Sequence, residues 1–211
     1  HINHTRSEHI LTIEDPIEFS YKNDRSLIHQ REVNEDTRSF ANALRAALRE
    51  DPDVILVGEL RDLETIQLAI SAAETGHLVF GTLHTSSASQ TVDRMVDVFP
   101  AAQQTQVRVQ LSSSLLAVFS QTLCRSSHPS AGAFGRVMAQ EIMINTPAIA
   151  NLIREGKTAQ IYSLIQTGAQ YSMQTLERAL ANLVQENRVS AEEAIQKTTR
   201  PEELQRLLEQ S

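Results

Sequence analysis

Acidic and imidazole side chains follow three apolar segments of the sequence, at the points where buried strands are expected to end. Glu14 and Asp15 follow HILTI, Glu59 follows DVILVG, and His84 follows HLVFGTL. Carboxylates at a strand end can orient or deprotonate a water, or hold the water shell of Mg²⁺. An imidazole there can hydrogen-bond a terminal phosphate. The three strand ends together predict a site that activates water or binds phosphate groups.

Each strand end taken alone also has an ordinary structural explanation. Glu14, Asp15 and Glu18 could form a solvated turn, and a lone histidine such as His84 is more often a hydrogen-bonded structural residue. DVILVGE resembles a Walker B strand, although that motif generally has Asp where Gly58 stands. The arrival of all three groups at successive strand ends favours the functional interpretation.

Short apolar segments alternate with helical periodicity over the first part of the chain. Strands are predicted at 9–16, 53–59 and 77–85, and helices at 37–50 and 62–76. The segment after the first strand, with residues 22–24 at its tip, suggests a hairpin. Strand, helix and strand in this order imply an α/β fold with a mostly parallel sheet covered by helices. In such a sheet, ligands gather at the carboxyl ends of the strands.

The rest of the chain is predicted to be mainly helical. Helices are expected at 86–98 and 103–123, a surface loop at 125–135, a strand at 136–144, and short helices from Asn145 onward. A boundary near Asn145 therefore divides residues 1–144 from an all-helical C-terminal subdomain, residues 145–211.

The sequence Gly156-Lys157-Thr158 raises the question of a phosphate-binding loop. A Walker A loop needs Gly-x-x-x-x-Gly-Lys-Ser/Thr after a buried strand, but Asn151 stands at the position of its first glycine. The preceding residues PAIANLIRE predict a helix with Thr146 as its N-cap and Gly156 as its C-cap. The 211 residues therefore contain no Walker A pattern.

Composition and charge argue against several classes of protein. The 211 residues are 41% hydrophobic and carry a net charge of −7, which argues against broad nucleic-acid or anionic-membrane binding. No apolar run approaches the roughly 18 residues of a membrane span, and the first residues lack the apolar core of a signal peptide. The cytoplasm is therefore the expected compartment.

The lone Cys124 is expected to be a buried structural thiol. The absence of an initiating Met suggests an incomplete chain.

Several segments of the sequence resemble the motifs of a known family. HILTIEDPIE, ALRAALREDPDVILVGELRDLETIQLAISAAETGHLVFGTLHT and TVDRMVDVFP are similar to the Asp box, Walker B region and His box of the type II/type IV secretion ATPases. TPAIANLIREGK resembles the AIRNLIRE segment of the PilT-type motors that retract type IV pili, with Ala150 where that segment has Arg. The likeness extends over nearly the whole chain.

The resemblance implies a hexameric RecA-like ATPase that uses ATP and Mg²⁺ and lies peripherally at the cytoplasmic side of the inner membrane, at the pilus base. Its implied partners are an inner-membrane platform protein and sister pilus motor ATPases, not nucleic acid. Glu14 matches the Asp-box glutamate that activates the attacking water. Glu59 matches the Walker B acid near Mg²⁺. His84, with His77 behind it, matches the His-box residues that sense or position the phosphates.

Further candidates for nucleotide binding are arginines and the neighbours of the strand ends. Arginine suits a transferring phosphoryl group because its guanidinium fork matches phosphate oxygens. The candidates are Asp15, Thr85, Arg31, Arg45, Arg49, Arg61 and Arg94. For each arginine, an intrachain pair with a nearby Asp or Glu is the competing interpretation.

The segment that resembles the retraction motors also supplies the predicted partner-binding residues. They are Ala148, Ile149, Asn151, Leu152, Ile153, Arg154 and Glu155. Members of the family place the P-loop before the Asp box, so we expect negligible ATP turnover by these 211 residues alone.

Two other functional classes stay open. One is a non-hydrolytic, ring-forming module that binds partners in the pilus or secretion machinery. The other is a metal-dependent hydrolase that uses His77, His84 and nearby acids. This second class is disfavoured because side chains seven residues apart on an extended strand point to opposite faces.

Overall fold

A computed structural model of the protein describes residues 1–128 and 135–209. The chain forms two compact units: unit 1 comprises residues 1–84 and 95–115, and unit 2 comprises residues 85–94 and 116–211. The predicted boundary near Asn145 falls inside unit 2. Most of the predicted surface loop at 125–135 lies outside the described residues.

Unit 1 is built on a four-stranded parallel sheet with the strand order β2-β1-β3-β4. Its elements are α1 (Ile2–Thr5), β1 (His9–Glu14), β2 (Leu27–Glu32), α2 (Phe40–Ala47), β3 (Val54–Val57), α3 (Leu63–Glu74), β4 (Leu78–Gly81), the end of α4 (Ala88–Asp97), which enters from unit 2, and α5 (Ala101–Ser114). The parallel sheet with its helices confirms the predicted α/β fold.

The apolar side chains of the central strands form the core of unit 1. Leu11 and Ile13 in β1, and Ile55 and Val57 in β3, are fully buried. Such apolar runs are typical of parallel strands that are covered on both faces. The buried backbone of these strands provides a rigid support for the residues that follow them.

The hairpin predicted around residues 22–24 is wrong. β2 runs parallel to β1, with His9 beside Leu27. Residues 15–26 carry the chain back to the amino end of β1, where Asn3 of α1 hydrogen-bonds backbone groups of the turn. The turn is therefore part of a return connection and does not join two antiparallel strands.

Unit 2 combines an antiparallel hairpin with a helical tail. Its elements after α4 are β5 (Ala117–Arg125), β6 (Arg136–Ile144), α6 (Pro147–Glu155), α7 (Ile161–Thr167), α8 (Leu176–Gln185), α9 (Ala191–Lys197) and α10 (Pro201–Glu209). Two short 3-10 turns lie on either side of α7. The helical tail confirms the predicted all-helical end of the chain. No helix in the described ranges is both long and apolar enough to cross a bilayer.

The helix predicted at 103–123 is correct only in its first part. Three serine hydroxyls at 112–114 donate to carbonyls of the preceding turn, a bonding mode that competes with helix continuation. The chain then enters β5, where Val118 and Cys124 face inward and Phe119 is exposed. Alternation of this kind is the strand period. The full burial of Cys124 agrees with the prediction of a structural thiol.

The Gly-Lys-Thr sequence lies at a helix end, as predicted. Thr146 caps α6 by accepting a hydrogen bond from the amide of Ile149, and Pro147 occupies its first turn. Gly156 ends the helix with φ 68°, a left-handed conformation that favours glycine. Lys157 pairs with Glu155 at 2.8 Å.

Candidate functional site

The carboxyl ends of β1, β3 and β4 lie at one edge of the sheet. The ladders that join β1 to β3 and β3 to β4 are both parallel, so the three strands end on the same side. Glu14 is the last residue of β1, Glu59 follows β3 by two residues, and His84 follows β4 by three. The fold therefore delivers the three predicted groups to the same edge.

Gly58 links the ends of β1 and β3 by direct backbone contact. Its amide donates to the carbonyl of Ile13 at 2.7 Å. A Cβ at this position would lie 2.9 Å from that carbonyl oxygen and 3.3 Å from the Cα of Glu14. A side chain such as the Asp of a generic Walker B strand would therefore displace β1. The contact holds Gly58, the residue directly before Glu59, against the end of β1.

Glu59 is the centre of a charged cluster. Its Oε2 lies 2.5 Å from a guanidinium nitrogen of Arg61, and its Oε1 lies 3.2 Å from Nε2 of His84. The hydrogen bond from Arg61, with lesser help from His84, holds the pKa of Glu59 below its ordinary value. The same pair raises the pKa of Arg61, and the charge of Asp15 adds to that effect. Glu59 and Asp15 thus share one cationic neighbour.

The members of this cluster differ in exposure. The side chain of Glu59 is 17% exposed, whereas that of His84 is 85% exposed. The acid is therefore anchored against the sheet while the imidazole projects into solvent. A projecting imidazole next to an anchored carboxylate can contact a ligand that arrives from solvent.

Two donors hold Glu14, and both bind the same carboxylate oxygen. Thr12 Oγ1 donates to Oε1 at 2.6 Å, and Gln30 Nε2 donates to it at 2.9 Å. Glu14 is half-buried, and within the described residues no donor reaches its Oε2. A fixed carboxylate with one open oxygen has the form required of a group that accepts a proton from water.

Sequence reasoning missed Thr12 and Gln30. A signal for Thr12 was present, because it precedes Glu14 by two residues and so shares its face of the strand. Gln30 is the register partner of Thr12 in β2. The incorrect hairpin concealed this neighbour, since only a parallel β2 places Gln30 beside the end of β1.

His77 does not lie in the cluster around Glu59, and its predicted role behind His84 stays a prediction. It precedes β4 whereas His84 follows it, so the four residues of β4, about 13 Å of strand, separate them. His77 instead binds the end of α3, with Nδ1 3.0 Å from the carbonyl of Ala72. Thr85 belongs to unit 2, where its hydroxyl lies 2.7 Å from that of Thr91.

The five candidate arginines fall into two groups. Arg31 pairs with Glu50 at 2.5 Å, Arg45 pairs with Glu64, and Arg61 pairs with Glu59. For these three arginines the competing interpretation, an intrachain pair, is what the structure contains. Arg49 and Arg94 are exposed, and no acidic partner for either is found in the part of the chain that the structure describes.

The predicted partner-binding segment, α6, presents only part of its residues to solvent. Ile149 and Ile153 are fully buried, so neither is exposed for the partner contact predicted for them. Leu152 is half-buried. The exposed residues are Ala148, Asn151, Arg154 and Glu155.

The side-chain atoms that could bind a metal ion at the sheet edge favour one kind of ion. They are carboxylate oxygens, and such hard oxygens suit a Mg²⁺ ion that keeps its own waters. Within residues 1–128 and 135–209, no group of three or more His, Cys, Asp or Glu side chains is arranged to hold a metal ion. The residues present therefore suit an ion that the protein contacts through water and that a bound ligand also coordinates.

Comparison with known proteins identifies the family. The profile of the family described as "Type II/IV secretion system protein" matches residues 1–210. The chain belongs to this family. The match includes the whole strand-end site and nearly all of both units.

Relatives within the type II/IV secretion system family include pilus motors. The chain is 59% identical over 202 residues to "Type IV pilus retractation ATPase PilT" of Pseudomonas aeruginosa, a match to 96% of this chain and 57% of that protein. It is 57% identical over 194 residues to "Twitching motility protein" of Neisseria gonorrhoeae, matching 92% of this chain and 51% of that protein. The chain thus spans little more than half the length of these relatives.

A solved structure in the same family has a closely similar fold. It is described as the crystal structure of the pilus retraction motor PilT with bound ADP. The TM-score is 0.88 at 53% sequence identity, and the match includes 97% of this chain and 57% of that one. This similarity agrees with the α/β fold described above.

Proposed function

We propose that this protein is part of an ATP-hydrolysing, hexameric motor of the type IV pilus machinery that couples ATP hydrolysis to pilus retraction. The observation that carries the proposal is the placement of Glu14, Glu59 and His84 at one edge of the sheet. The 59% identity to a pilus retraction ATPase supports it.

In this proposal Glu14 is the general base. Its open Oε2 accepts a proton from the water that attacks the terminal phosphorus of ATP, as the bond between that phosphorus and the bridging oxygen breaks and ADP leaves. The two donors on Oε1 keep the open oxygen in one direction, because rotation of the carboxyl group would break both hydrogen bonds. Half-burial limits competing solvent at the base.

Glu59 and His84 would orient the nucleotide phosphates in two ways, Glu59 through a metal ion and His84 by direct contact. Glu59 would hold Mg²⁺ through water, and the ion, when bound, neutralises charge on the phosphate oxygens. The exposed imidazole of His84 hydrogen-bonds the terminal phosphate. The charge of Asp15 adds to that of Glu59 in favouring the charged form of Arg61. In this proposal Glu14 accepts the proton, Glu59 would hold the metal ion and His84 contacts the phosphate.

The arginines that could act across a subunit interface are Arg49 and Arg94. Both are exposed, and neither has an acidic partner among the described residues, so each could reach a phosphate held by a neighbouring copy. Arg31 and Arg45 would first have to leave their carboxylate partners. The exposed residues of α6 would contact the inner-membrane platform protein at the pilus base.

The test is Mg²⁺-ATP hydrolysis by the native-length product of the coding region, measured beside this 211-residue chain. We expect the native-length protein to hydrolyse ATP and the 211 residues alone to turn over negligibly, since they contain no Walker A pattern. Robust hydrolysis by the 211 residues would contradict the second expectation. No hydrolysis by either would favour the non-hydrolytic partner-binding module.

A cellular assay separates the motor from that module. In the native-length protein, Glu14→Gln removes the base but keeps nearly the same size. A motor would lose twitching motility, whereas a module that only assembles and binds partners would keep it. The ring should form in both cases, so its size measured by light scattering is the control.

A further inference from the structure

We propose that Gln30, together with Thr12, is a positioning residue that sets the direction of the Glu14 carboxylate. The inference rests on the proposed hydrolysis and assigns a role in it to two residues on neighbouring strands. Thr12 and Gln30 are register partners in β1 and β2, and both donate to Oε1 of Glu14. The pair therefore binds one side of the carboxylate only.

The hydrogen bonds of Gln30 fix which end of its amide faces Glu14. Its Oε1 accepts from the backbone amide of Tyr21 at 2.7 Å, so the nitrogen must point the other way. The two hydrogens of that nitrogen go to Glu14 Oε1 and to the carbonyl of Phe19 at 2.8 Å. Every hydrogen-bonding group of the amide except one acceptor lone pair is used, and a flip would break three bonds.

The segment after Glu14 is held by the same strand. Gln30 binds the backbone of Phe19 and Tyr21, and the carboxylate of Glu32 accepts from the amide of Ile17 at 3.0 Å. Residues of β2 therefore hydrogen-bond Glu14, before the Asp15-Pro16 bond, and three backbone groups after it. Because Thr12 is 4% exposed, its hydroxyl approaches Glu14 from the protein interior.

This geometry has a direct consequence for catalysis. A base works only when its accepting oxygen points at the attacking water, and small displacements of a catalytic group cost rate steeply. With both donors on Oε1, the open Oε2 has one direction. Loss of either donor lets the carboxyl group rotate without changing the residues that bind phosphate.

The experiment compares variants of the native-length protein at saturating and limiting ATP. Gln30→Met removes the amide and keeps the size, and Gln30→Glu keeps the acceptor for Tyr21 but replaces the donor by an oxygen that faces Glu14. We expect kcat to fall about ten-fold or more in both variants, with KM for ATP changed by less than about two-fold. Full kcat in either variant, while Glu14→Gln is inactive, would overturn the inference.

The Thr12 position supplies a matched pair if a Gln30 variant fails to fold. Thr12→Val loses the donor at constant size, and Thr12→Ser keeps it. The inference predicts a lower kcat for Thr12→Val and recovery in Thr12→Ser. Equal activity of the two variants would contradict it.

Crystal structures decide the inference separately from the proposed function. In Gln30→Met, the Glu14 carboxyl group should adopt a different orientation relative to Gly58, whether or not the unsubstituted protein hydrolyses ATP. An unchanged carboxylate would overturn the positioning role. If the unsubstituted protein does not hydrolyse ATP but Glu14 is reoriented in the variant, the proposed function would be contradicted and the positioning role would stand.

Discussion

At the sheet edge of unit 1, Glu14 and Glu59 are half-buried, whereas in unit 2 Glu141 and Glu177 are 5% and 2% exposed. The acids of unit 1 contact cations or leave one oxygen open to a ligand. The acids of unit 2 are taken out of solvent, and their hydrogen bonds go to groups of their own unit. Carboxylates with few or no contacts to bulk solvent therefore occur in both units, but the two acids at the sheet edge of unit 1 remain partly open to solvent, whereas Glu141 and Glu177 of unit 2 do not.

Glu177 illustrates the second kind of environment. Thr198 donates to its Oε1 at 2.6 Å, and the Tyr162 hydroxyl lies 2.9 Å from its Oε2. The same hydroxyl lies 2.8 Å from Glu203, and burial, with these two carboxylates, raises the pKa of Tyr162. The guanidinium of Arg200 lies 3.7 Å from the centre of the Tyr162 ring. This network joins α7, α8 and α10.

This difference in burial and hydrogen bonding indicates which carboxylates are available for chemistry. A buried acid whose oxygens already accept hydrogen bonds stabilises packing, because breaking its bonds leaves polar groups without partners. A half-buried acid with one open oxygen can exchange protons with a bound water. Substitutions in the two units should therefore separate loss of activity from loss of stability.

Among the substitutions that compare the two units, the largest effect is expected at Gly58, which affects activity through the backbone. Gly58→Ala places a Cβ against the Ile13 carbonyl and the Glu14 Cα, so the base must shift. We expect kcat of the native-length protein to fall about 100-fold. The control is Gly81→Ala, where the new Cβ meets the flexible side chain of Leu60, and a much smaller loss is expected. Equal losses would show that contact with β1 is not the cause.

Glu177→Ala should reduce stability. The substitution leaves the hydroxyls of Tyr162 and Thr198 without one acceptor each and opens a cavity among buried residues. We expect the free energy of unfolding to fall by about 3 kcal/mol, measured by denaturant titration. Glu186→Ala, at an exposed position at the end of α8, should change it by less than about 0.5 kcal/mol. A small change at Glu177 would mean that its network is not stabilising.

A smaller, pH-dependent effect is expected at Glu141. Burial and, to a lesser extent, the charge of Glu177 raise its pKa, against the hydrogen bond from the Ala88 amide and the charge of Arg200. A raised pKa means that the folded state binds the proton more tightly. The stability that Glu141 contributes is therefore present below the ordinary value of 4.5 and is lost as the pH rises through the raised value.

Glu141→Gln tests this sign, since the amide oxygen can still accept from Ala88. The variant should be more stable than the unsubstituted protein by about 1 kcal/mol at pH 8, and the difference should shrink as the pH falls toward 4.5. The hydrogen bond from Arg61 lowers the pKa of Glu59, so the pH dependence has the opposite sign there. The stability that Glu59 contributes is present above the ordinary value of 4.5 and is lost as the pH falls through the lowered value. A difference at Glu141 that does not change with pH would contradict the assignment.

Local signals in the sequence predicted the strand ends and the helix caps, because each depends on neighbouring residues. The apolar run of β3 followed by Gly58 and Glu59, and the end of α6 at Gly156, are of this kind. Pairing over longer distances was not predictable in this way. The direction of β2 depends on the return of residues 15–26 to α1, and the contact of Gln30 with Glu14 depends on that direction.

The placement of His77 and of the arginines also depended on tertiary structure. A strand pattern does not reveal that His77 turns back onto α3, nor that Arg31 meets Glu50 from another element. The composition of the sequence offers many carboxylates to each arginine, so only the fold decides which pairs form.

The most direct measurement of the central claim is ATP turnover by the native-length protein carrying Glu14→Gln, with its unfolding temperature measured in the same buffer. If the strand-end acids perform the chemistry, turnover should fall by about 10² to 10⁴-fold while the unfolding temperature stays near that of the unsubstituted protein. Retained turnover in a folded Glu14→Gln variant would contradict the account.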